Sequence, residues 1–492
     1  MASLSKTGTQ SLLRAAVSGR SACLLTAARH NHHFQKRYAT TTTADSNINE
    51  KERIVVLGSG WAGYALTRTL SAKEKSRVVI SPRSHFVFTP LLASTAVGTL
   101  EFRTAIEPVR RLGVDEFHQA WASSIDFANK TIRLEANTGG DAGAKTGVEP
   151  VHGPQFDISY DKLVIAVGCY SQTFGIEGVT QHANFLRDVG DARDIRSRVL
   201  TAFEKADLPV TTDQQRRELL HFAVVGGGPT GIEYAAELHD LIHEDLTKMY
   251  PALMKFVNIT IYDIAPKVLP MFDQNLADYA TERFRRQGIQ VKTEHHLERV
   301  RRDGDVLRIR IKEEADEVAA GVVVWSTGLM QNPLVNQLVQ QEIPGHGKII
   351  KHEKTGSITT DKHLRVLTSG ADGKPQILPD VYAMGDCTSV EGMSLPATAQ
   401  VASQQAVWLG RRLNKDDFDT KPGFVFRNWG TMAYLGGWTA IHQSKADELK
   451  GWPAWILWRM AYLTRSMSLR NKLMIPVHWV VTWLFGRDIS RF

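Results

Sequence analysis

Two glycine-rich turns are the parts of this sequence in which residue type and spacing indicate chemistry most clearly. Both have the form G-x-G-x-x-G, with Gly58, Gly60 and Gly63 in GSGWAG and with Gly226, Gly228 and Gly231 in GGGPTG. The first glycine permits a tight turn, the second lets the backbone approach a pyrophosphate, and the third lets a helix pack closely on a strand. The N–H groups at the start of that helix then face the phosphates. Each turn therefore predicts a dinucleotide-binding site.

The elements around each turn have the same order, an apolar strand followed by the turn and a helix rich in Ala and Leu. RIVVLGSGWAGYALTRTL begins at Arg53, and AVVGGGPTGIEYAAEL begins at Ala223. Two such βαβ units in one chain predict one nucleotide that stays bound and another that visits. Ser59 in the first turn, and Gly227 and Thr230 in the second, are counted with the predicted nucleotide contacts.

An acidic residue commonly ends the second strand of such a unit and binds the adenosine ribose. In the second unit VNITIYDIAP supplies Asp263, whose charge repels a 2′-phosphate and favours NADH over NADPH; nearby Lys267 weakens this preference only slightly. The alternative is that Asp263 merely ends a strand in solvent. In the first unit SRVVISPRSHF places Ser81 at the corresponding position, so other contacts must hold the first nucleotide there.

Three further strand ends carry a glycine. YDKLVIAVGCYS ends at Gly168 and VVVWSTGL at Gly328, and both are expected to return the chain from one nucleotide domain to the other. In DVYAMGDCTS the apolar strand is followed by Gly385 and Asp386. Flavoproteins with two dinucleotide domains place a carboxylate against the flavin ribityl chain at such a Gly-Asp pair, so Asp386 is predicted to do this.

The cysteines limit the choice of electron acceptor. Cys23, Cys169 and Cys387 form no CxxC or CxxxxC pair, so a thiol–disulfide relay is excluded, and neither a disulfide framework nor a metal site is predicted. Sulfide:quinone reductases use separated cysteines, and Cys169 with Cys387 leaves that alternative open.

Composition indicates a globular protein of two or three domains, with 43% apolar and 23% charged residues in 492. The first 44 residues contain six Lys or Arg and no acid, so they carry most of the formal charge of +7. The body is nearly neutral, and no nucleic-acid partner is predicted. This Arg-, Ser- and Thr-rich segment is typical of a mitochondrial transit peptide, with a basic tail of no targeting role as the alternative. No apolar stop-transfer run follows it, which favours the matrix.

From about Arg53 to its C-terminus the chain resembles the type II NADH dehydrogenases, the single-subunit NADH:ubiquinone oxidoreductases of fungal mitochondria. The motifs that carry the resemblance are FTPLLASTAVGTLEFRTAIEPVR, GGGPTGIEYAAEL, MGDC followed by LPATAQVASQQA, and a Trp-rich basic end. The matrix-facing form is the better match, because the sequence shows no EF-hand insertion and no N-terminal anchor.

The resemblance implies non-covalent FAD, NADH as substrate and ubiquinone as acceptor. The residues that it places around FAD are Thr89, Pro90 and Leu91 along the flavin, Asp386 at the ribityl chain, and Ala397, Thr398 and Ala399 over the isoalloxazine. It puts Glu233 near the nicotinamide, and Gln400 and Gln404 at the quinone pocket. On the residues alone, two amides four apart indicate a solvated helix face, and a first-turn glutamate is favoured by the helix dipole.

The C-terminal end predicts contact with a membrane. Trp452, Trp455, Trp458 and Tyr462 recur at helical spacing among basic residues, and Trp479 and Trp483 lie one turn apart after Pro476. No apolar run reaches the roughly 20 residues needed to span a bilayer, so the pattern indicates an interfacial anchor in one leaflet. A helix pair in the core or at a dimer interface is the alternative. Because nothing spans, no proton pumping is expected.

The predicted fold is α/β, with two Rossmann-like domains arranged as in glutathione reductase and a C-terminal membrane-anchoring region. The expected domains are 1–50 transit peptide and linker, 51–190 and 327–410 FAD domain, 191–326 NADH domain, and 411–492 anchor or dimerisation region. The predicted function is non-pumping NADH:ubiquinone oxidoreduction by a homodimer on the matrix side of the mitochondrial inner membrane. The alternatives are a ferredoxin-reductase-like or apoptosis-inducing-factor-like reductase of a soluble carrier, and a redox-sensing FAD scaffold.

Overall fold

The computed structural model describes residues 51–141, 152–370, 373–445 and 447–491, and the predicted transit peptide lies outside them. The strands of the described residues are β1 Glu52–Leu57, β2 Lys75–Ser81, β3 His85–Val87, β4 Ile106–Pro108, β5 Glu116–Asp126, β6 Thr131–Asn137, β7 His152–Ser159, β8 Lys162–Ile165, β9 Cys169–Ser171, β10 Asn184–Phe185, β11 His221–Val225, β12 Asn258–Tyr262, β13 Ile289–Lys292, β14 Leu297–Asp303, β15 Val306–Ile311, β16 Val318–Ala320, β17 Val322–Trp325, β18 Leu329–Gln331, β19 Glu342–Ile343, β20 Gly347–Lys348, β21 Ile358–Thr360, β22 Arg365–Thr368, β23 Gln376–Ala383, β24 Thr388–Val390, β25 Thr431–Tyr434, β26 Ala440–Gln443 and β27 Glu448–Gly451. The α-helices of the same residues are α1 Trp61–Thr69, α2 Leu92–Ala96, α3 Val179–His182, α4 Val189–Asp207, α5 Asp213–Leu219, α6 Pro229–Asp240, α7 Thr247–Met249, α8 Gln274–Arg286, α9 Pro333–Leu338, α10 Ala399–Lys415, α11 Trp452–Arg465 and α12 Leu469–Phe485.

The first sheet contains the first glycine turn. Within the described residues its strand order is β24-β21-β22-β23-β8-β1-β2-β5-β6-β7, and the five central strands from β23 to β5 are parallel. Strand β1 is buried along IVVL, as expected for a parallel strand that is covered on both faces. This sheet combines strands before residue 166 with strands after residue 357.

The second sheet contains the second glycine turn. In the described chain its order is β10-β17-β11-β12-β13, and all pairs are parallel. The expected domain boundary at residue 190 falls inside helix α4, and strand β10 before it already pairs with β17. A first-domain boundary near residue 183 therefore describes the sheets better. The other boundaries stay predictions.

The two chain returns lie side by side. Strands β9 and β18 follow Gly168 and Gly328 and pair with each other as an antiparallel ribbon. Both glycines have positive φ, 66° and 75°, which the sharp change of chain direction requires. Gly168 follows β8 of the first sheet and Gly328 follows β17 of the second, so each stretch leads the chain out of one sheet towards the other, as expected; the pairing of β9 with β18 was not predicted.

The C-terminal region consists of the antiparallel strands β25 to β27 and helices α11 and α12. Trp458 and Ile475 are buried in the large core, and the buried Asn471 amide donates to Thr104 O and to Glu107 Oε1. Helix α12 begins after the N-cap Ser468 and continues through Pro476, so Trp479 and Trp483 belong to a helix that starts well before the proline. Among the residues described here, none of the helices is long and apolar enough to cross a membrane.

Candidate functional site

The first glycine turn joins β1 to α1, and its three glycines have separate physical reasons. Gly58 has φ +109°, and a Cβ there would collide with the carbonyl oxygen of Ala166. A Cβ on Gly63 would overlap the carbonyl oxygen of Gly58, so this residue sets the approach of helix to strand. A Cβ on Gly60 would meet nothing within 4 Å. The fold itself requires the first and third glycines, whereas the open space at Gly60 suits a ligand that must approach the backbone.

A cavity of about 250 Å³ lies over this turn. The predicted site residues on its wall are Gly58, Ser59, Gly60, Thr89, Gly168, Asp386 and Ala399. Others lie elsewhere: Leu91 is 1% exposed in the hydrophobic core, Pro90 is half-buried off the wall, and Ala397 and Thr398 are exposed. The Thr398 hydroxyl caps α10, which begins just after Pro396 as the sequence predicts. A cavity beside an uncrowded backbone turn fits the pyrophosphate of a dinucleotide such as FAD.

At the end of β2, Ser81 occupies the position at which a ribose-binding acid would be expected. Ser81 is buried, with its Oγ 2.8 Å from Ser59 Oγ. Arg83 and His85 line the cavity just beyond it and contact Asp188, with Arg83 Nε 2.8 Å from Asp188 Oδ2. Burial opposes ionisation of Asp188, but the hydrogen bond from His85 and the charge of Arg83 prevail and hold its pKa below the usual range. The sequence alone did not single out Arg83 and His85, although both stand in the same PRSHF stretch as Ser81.

Asp386 lies on the cavity wall, where its Oδ2 accepts a hydrogen bond from Cys169 Sγ at 3.3 Å. The preceding Gly385 has φ +78° and donates its N–H to Gln405 Oε1 at 2.8 Å, which fixes the turn. Cys387 is fully buried, and burial raises its pKa to about 12. Burial also raises the pKa of Cys169. Both thiols are therefore protonated near neutral pH, which disfavours sulfur chemistry at this cavity.

The second glycine turn repeats the geometry of the first. Gly226 has φ +113°, a Cβ on Gly231 would overlap the carbonyl oxygen of Gly226, and a Cβ on Gly228 would meet nothing within 4 Å. Asp263 reaches back to this turn, where Oδ2 accepts the Gly227 N–H and Oδ1 accepts the Ala265 N–H at 2.7 Å.

Two further residues of the second unit bear on the nucleotide preference. The ammonium group of Lys267 donates a hydrogen bond to Phe272 O at 2.9 Å. This side chain is therefore engaged within the protein and does not favour a 2′-phosphate. Thr230 is exposed at the start of α6. The arrangement leaves Asp263 as the charged group beside the turn and fits a nucleotide without a 2′-phosphate.

Glu233 is a buried carboxyl between α6 and the C-terminal region. Its Oε1 accepts hydrogen bonds from Tyr434 N at 3.2 Å and from Trp458 Nε1 at 3.1 Å. Burial raises its pKa to about 8, against the lowering effect of these two hydrogen bonds. The protonated form of Glu233 is therefore favoured at neutral pH.

The amides of Gln400 and Gln404 lie one turn apart on α10, and both are occupied by backbone groups. Gln400 donates to Gly430 O at 2.7 Å and accepts from Trp429 N at 3.2 Å. Gln404 donates to Arg427 O at 2.9 Å and accepts from Arg427 N at 3.0 Å. Together they clamp residues 427–430 against α10 and hold Trp429, whose side chain is half exposed. Sequence reasoning could not find this clamp, because its two halves are more than 20 residues apart.

The chain is similar to known proteins along most of its length. Residues 52–406 match the family described as pyridine nucleotide-disulphide oxidoreductase, and residues 429–488 match the NDH2 C-terminal domain. The chain is 39% identical over 452 residues to a probable NADH dehydrogenase of Dictyostelium discoideum, covering 90% of this chain and 92% of that protein. It is 37% identical over 491 residues to the mitochondrial internal alternative NAD(P)H-ubiquinone oxidoreductase A1 of Solanum tuberosum, covering 93% and 92%.

Two solved structures are similar to this chain over most of its length. NDH2 from Plasmodium falciparum in complex with NADH superposes with a TM-score of 0.78 at 25% identity, covering 90% of this chain and 100% of that chain. The sulfide:quinone oxidoreductase of Aquifex aeolicus reaches a TM-score of 0.61 at 16% identity, covering 89% and 96%. The second comparison is a likeness of fold alone.

Proposed function

The chain belongs to the type II NADH dehydrogenases, within the pyridine nucleotide-disulphide oxidoreductase family, and we propose that it oxidises NADH with FAD and passes the electrons to ubiquinone. The observation that carries this proposal is the pair of glycine turns, each with an open second glycine, on two sheets joined by the β9–β18 ribbon. One turn serves a resident cofactor and the other a visiting nucleotide.

The chemistry supplied by FAD, when it is bound, is acceptance of a hydride and release of two electrons. The residues that would hold it are the first turn, whose N–H groups after Gly58 would face its pyrophosphate, and Asp386, which would accept a hydrogen bond from its ribityl chain. The second turn holds NADH, with Asp263 at its ribose. Quinone reduction consumes a proton, and the buried carboxyl of Glu233 holds one at neutral pH. Gln400 and Gln404 hold the segment that carries Trp429 against α10. We take this face of α10 as the place where ubiquinone binds, and call it the acceptor side.

The competing activities have weaker support. Cys387 is buried and both thiols are protonated, which argues against a sulfide:quinone reductase. A soluble-carrier reductase requires no apolar C-terminal surface, yet α11 and α12 expose large apolar side chains. These are Trp452, Ile456, Met460, Leu469, Leu473, Val477, Val480, Trp483, Leu484 and Phe485, which are 43% to 81% exposed.

That exposed face supports attachment to a membrane surface. Each large apolar side chain that leaves water contributes about 1.5–3 kcal/mol, so a few of them suffice to hold the protein in one leaflet. The tryptophans divide their roles, because Trp458 is buried under the face whereas Trp452 and Trp483 are 66% and 68% exposed. The Solanum tuberosum relative is described as mitochondrial. We place this chain on the matrix side of the inner membrane, as a homodimer in which the same region also contacts a second copy.

The test is the activity of the purified full chain. Protein that absorbs near 450 nm should oxidise NADH in proportion to added short-chain ubiquinone, and should not need a ferredoxin or a thiol. Bound flavin without quinone-dependent NADH oxidation would contradict the proposal and leave the redox-sensing scaffold. Flotation with liposomes tests the membrane part separately, and sedimentation tests the dimer.

A further inference from the structure

A second cavity, of about 700 Å³, lies between the C-terminal helices and helix α6 with the π-helical turn Leu241–Leu246 that follows it. Five indole rings line one side of it: Trp438, Trp455, Trp458, Trp479 and Trp483. Four carboxylates line the other: Glu237, Asp240, Glu244 and Asp245. The cavity is separate from the groove over the first glycine turn, and the proposed redox site borders it through Trp458.

All four carboxylates already have partners within the protein. Glu237 accepts from Ser94 Oγ at 2.6 Å and from Thr99 Oγ1 at 2.8 Å. Asp240 accepts from the Tyr434 hydroxyl at 2.6 Å. The acidic side of the cavity is completed by Arg487, which bridges Glu244 Oε2 and Asp245 Oδ2 at 2.7 Å each.

Arg459, on the same cavity wall, is different. Its guanidinium carbon lies 4.3 Å from the ring centre of Trp455 and 4.3 Å from that of Trp479, so the group is clamped between two indole faces. Its buried Nε has no hydrogen-bond partner, and within the described part of the chain Arg459 has no ion pair. Burial lowers the pKa of Arg459 against the opposing charges of Glu237 and Glu244. A half-buried guanidinium whose Nε has no hydrogen-bond partner is suited to bind an anion from outside the protein.

The residues at the mouth of the cavity indicate the chemical character of the rest of the ligand. Val480, Trp483, Leu484 and Phe485 line it and are 54%, 68%, 57% and 81% exposed. A ligand whose anion reaches Arg459 therefore continues as an apolar body over the surface of α12. The cavity also holds nearly equal positive and negative charge, because Lys248, Arg459 and Arg487 face the four carboxylates. A zwitterion preserves that balance, whereas a plain anion upsets it.

We propose that this cavity binds the headgroup of a zwitterionic phospholipid. The phosphate oxygens accept hydrogen bonds from Arg459, and the ammonium lies against the indole faces and the carboxylates, which both attract a cation. The acyl chains cover the exposed apolar side chains of α12. The site rests on the proposed attachment to a membrane but not on the proposed redox chemistry.

The test uses the full-length flavin-loaded protein, stripped of lipid and titrated calorimetrically with short-chain phosphatidylcholine below its micelle concentration. The variant is Arg459→Gln. The matched control is Arg465→Gln, which removes an arginine from the same helix that also stacks over an indole, 4.2 Å from the ring centre of Trp429, but does not line the cavity. Glycerophosphocholine, inorganic phosphate and octanoate are titrated into the wild-type protein in parallel.

The expected result is at least about tenfold weaker binding of phosphatidylcholine by Arg459→Gln, and a change of less than about twofold for Arg465→Gln. Equally weakened lipid binding in both variants would mean that the loss of positive charge alone causes the effect, and would overturn the site. Equally tight binding of inorganic phosphate or octanoate would overturn the lipid assignment. Flavin content and thermal midpoint check folding, and NADH oxidation with a water-soluble quinone is measured on the same samples. If the wild-type protein oxidises NADH with quinone but binds no lipid, the lipid site is wrong and the proposed function stands. If it binds lipid but shows no turnover, the proposed function is wrong and the lipid site stands.

Discussion

Replacing Gly60 or Gly63 by valine separates what the first glycine turn does for the fold from what it does for FAD. The two glycines are three residues apart in one turn, yet a Cβ on Gly60 meets open space whereas a Cβ on Gly63 overlaps the carbonyl oxygen of Gly58. Gly60 also has φ −74°, which valine adopts without strain. Gly60→Val should therefore fold and lose the flavin, and Gly63→Val should fail to fold normally.

The size of the effect at Gly60 follows from the bonds that it blocks. A branched side chain there occupies the space through which the pyrophosphate reaches the N–H groups of α1. Hydrogen bonds to a charged group contribute about 1.5–3 kcal/mol each. Loss of two such bonds costs about 3–6 kcal/mol, which weakens FAD binding by roughly 10² to 10⁴-fold. Overpacking at Gly63 instead costs about 1–3 kcal/mol or more of folding stability.

The assay compares flavin absorbance per chain with the far-ultraviolet circular dichroism of the same sample. We expect Gly60→Val to be colourless with a wild-type spectrum, and Gly63→Val to show reduced yield and a lower thermal midpoint. A yellow Gly60→Val protein with one flavin per chain would refute the assignment of this turn to the pyrophosphate of FAD. Gly60→Ala, which adds a single methyl group, should give an intermediate flavin content.

Three further predictions concern the second nucleotide, the buried carboxyl and the acceptor side. Asp263→Ser should raise KM for NADH and narrow the gap to NADPH, because the charge beside the Gly227 N–H is lost; an unchanged selectivity ratio would show that Asp263 does not contact the ribose. Burial raises the pKa of Glu233 from an ordinary 4.5 to about 8, so the folded state keeps a proton that the unfolded state releases, and stability falls as pH rises from about 4.5 to 8. Glu233→Gln should remove up to about 4 kcal/mol of that fall, measured by urea unfolding at pH 5 and pH 8.5; parallel curves for variant and wild type would contradict the buried neutral carboxyl. Gln404→Ala should slow quinone reduction while NADH still reduces the flavin at nearly the wild-type rate, because it releases Arg427 from the clamp on α10; equal slowing of both half-reactions in stopped-flow experiments would place Gln404 elsewhere.

The parts of the site that the sequence predicted well are local in the chain. Each glycine turn, together with the strand before it and the helix after it, lies within about 20 residues, and steric rules fix its geometry. Asp263 and Asp386 likewise follow short, mostly apolar stretches, ITIY and VYAM, that are recognisable as strand ends. For such elements the spacing of residue types carries almost all of the information.

The parts that needed the structure depend on contacts between distant segments. Gln400 and Gln404 form a regular pair on α10, but the backbone at 427–430 takes both amides. Leu91, expected beside the flavin, is buried in the core, because the short 3₁₀ turn Thr89–Leu91 points it inward. Helical spacing could not tell the buried Trp458 from the exposed Trp483, since this depends on which face of each helix meets α6.

The most direct test of the account is a sequential stopped-flow experiment without oxygen. NADH mixed with the purified protein should bleach the flavin absorbance near 450 nm, and a second mixing with ubiquinone should restore it within the turnover time. This result would show that both nucleotide sites and the acceptor side serve one flavin. Flavin that NADH bleaches but that only oxygen, and not ubiquinone, restores would contradict the account.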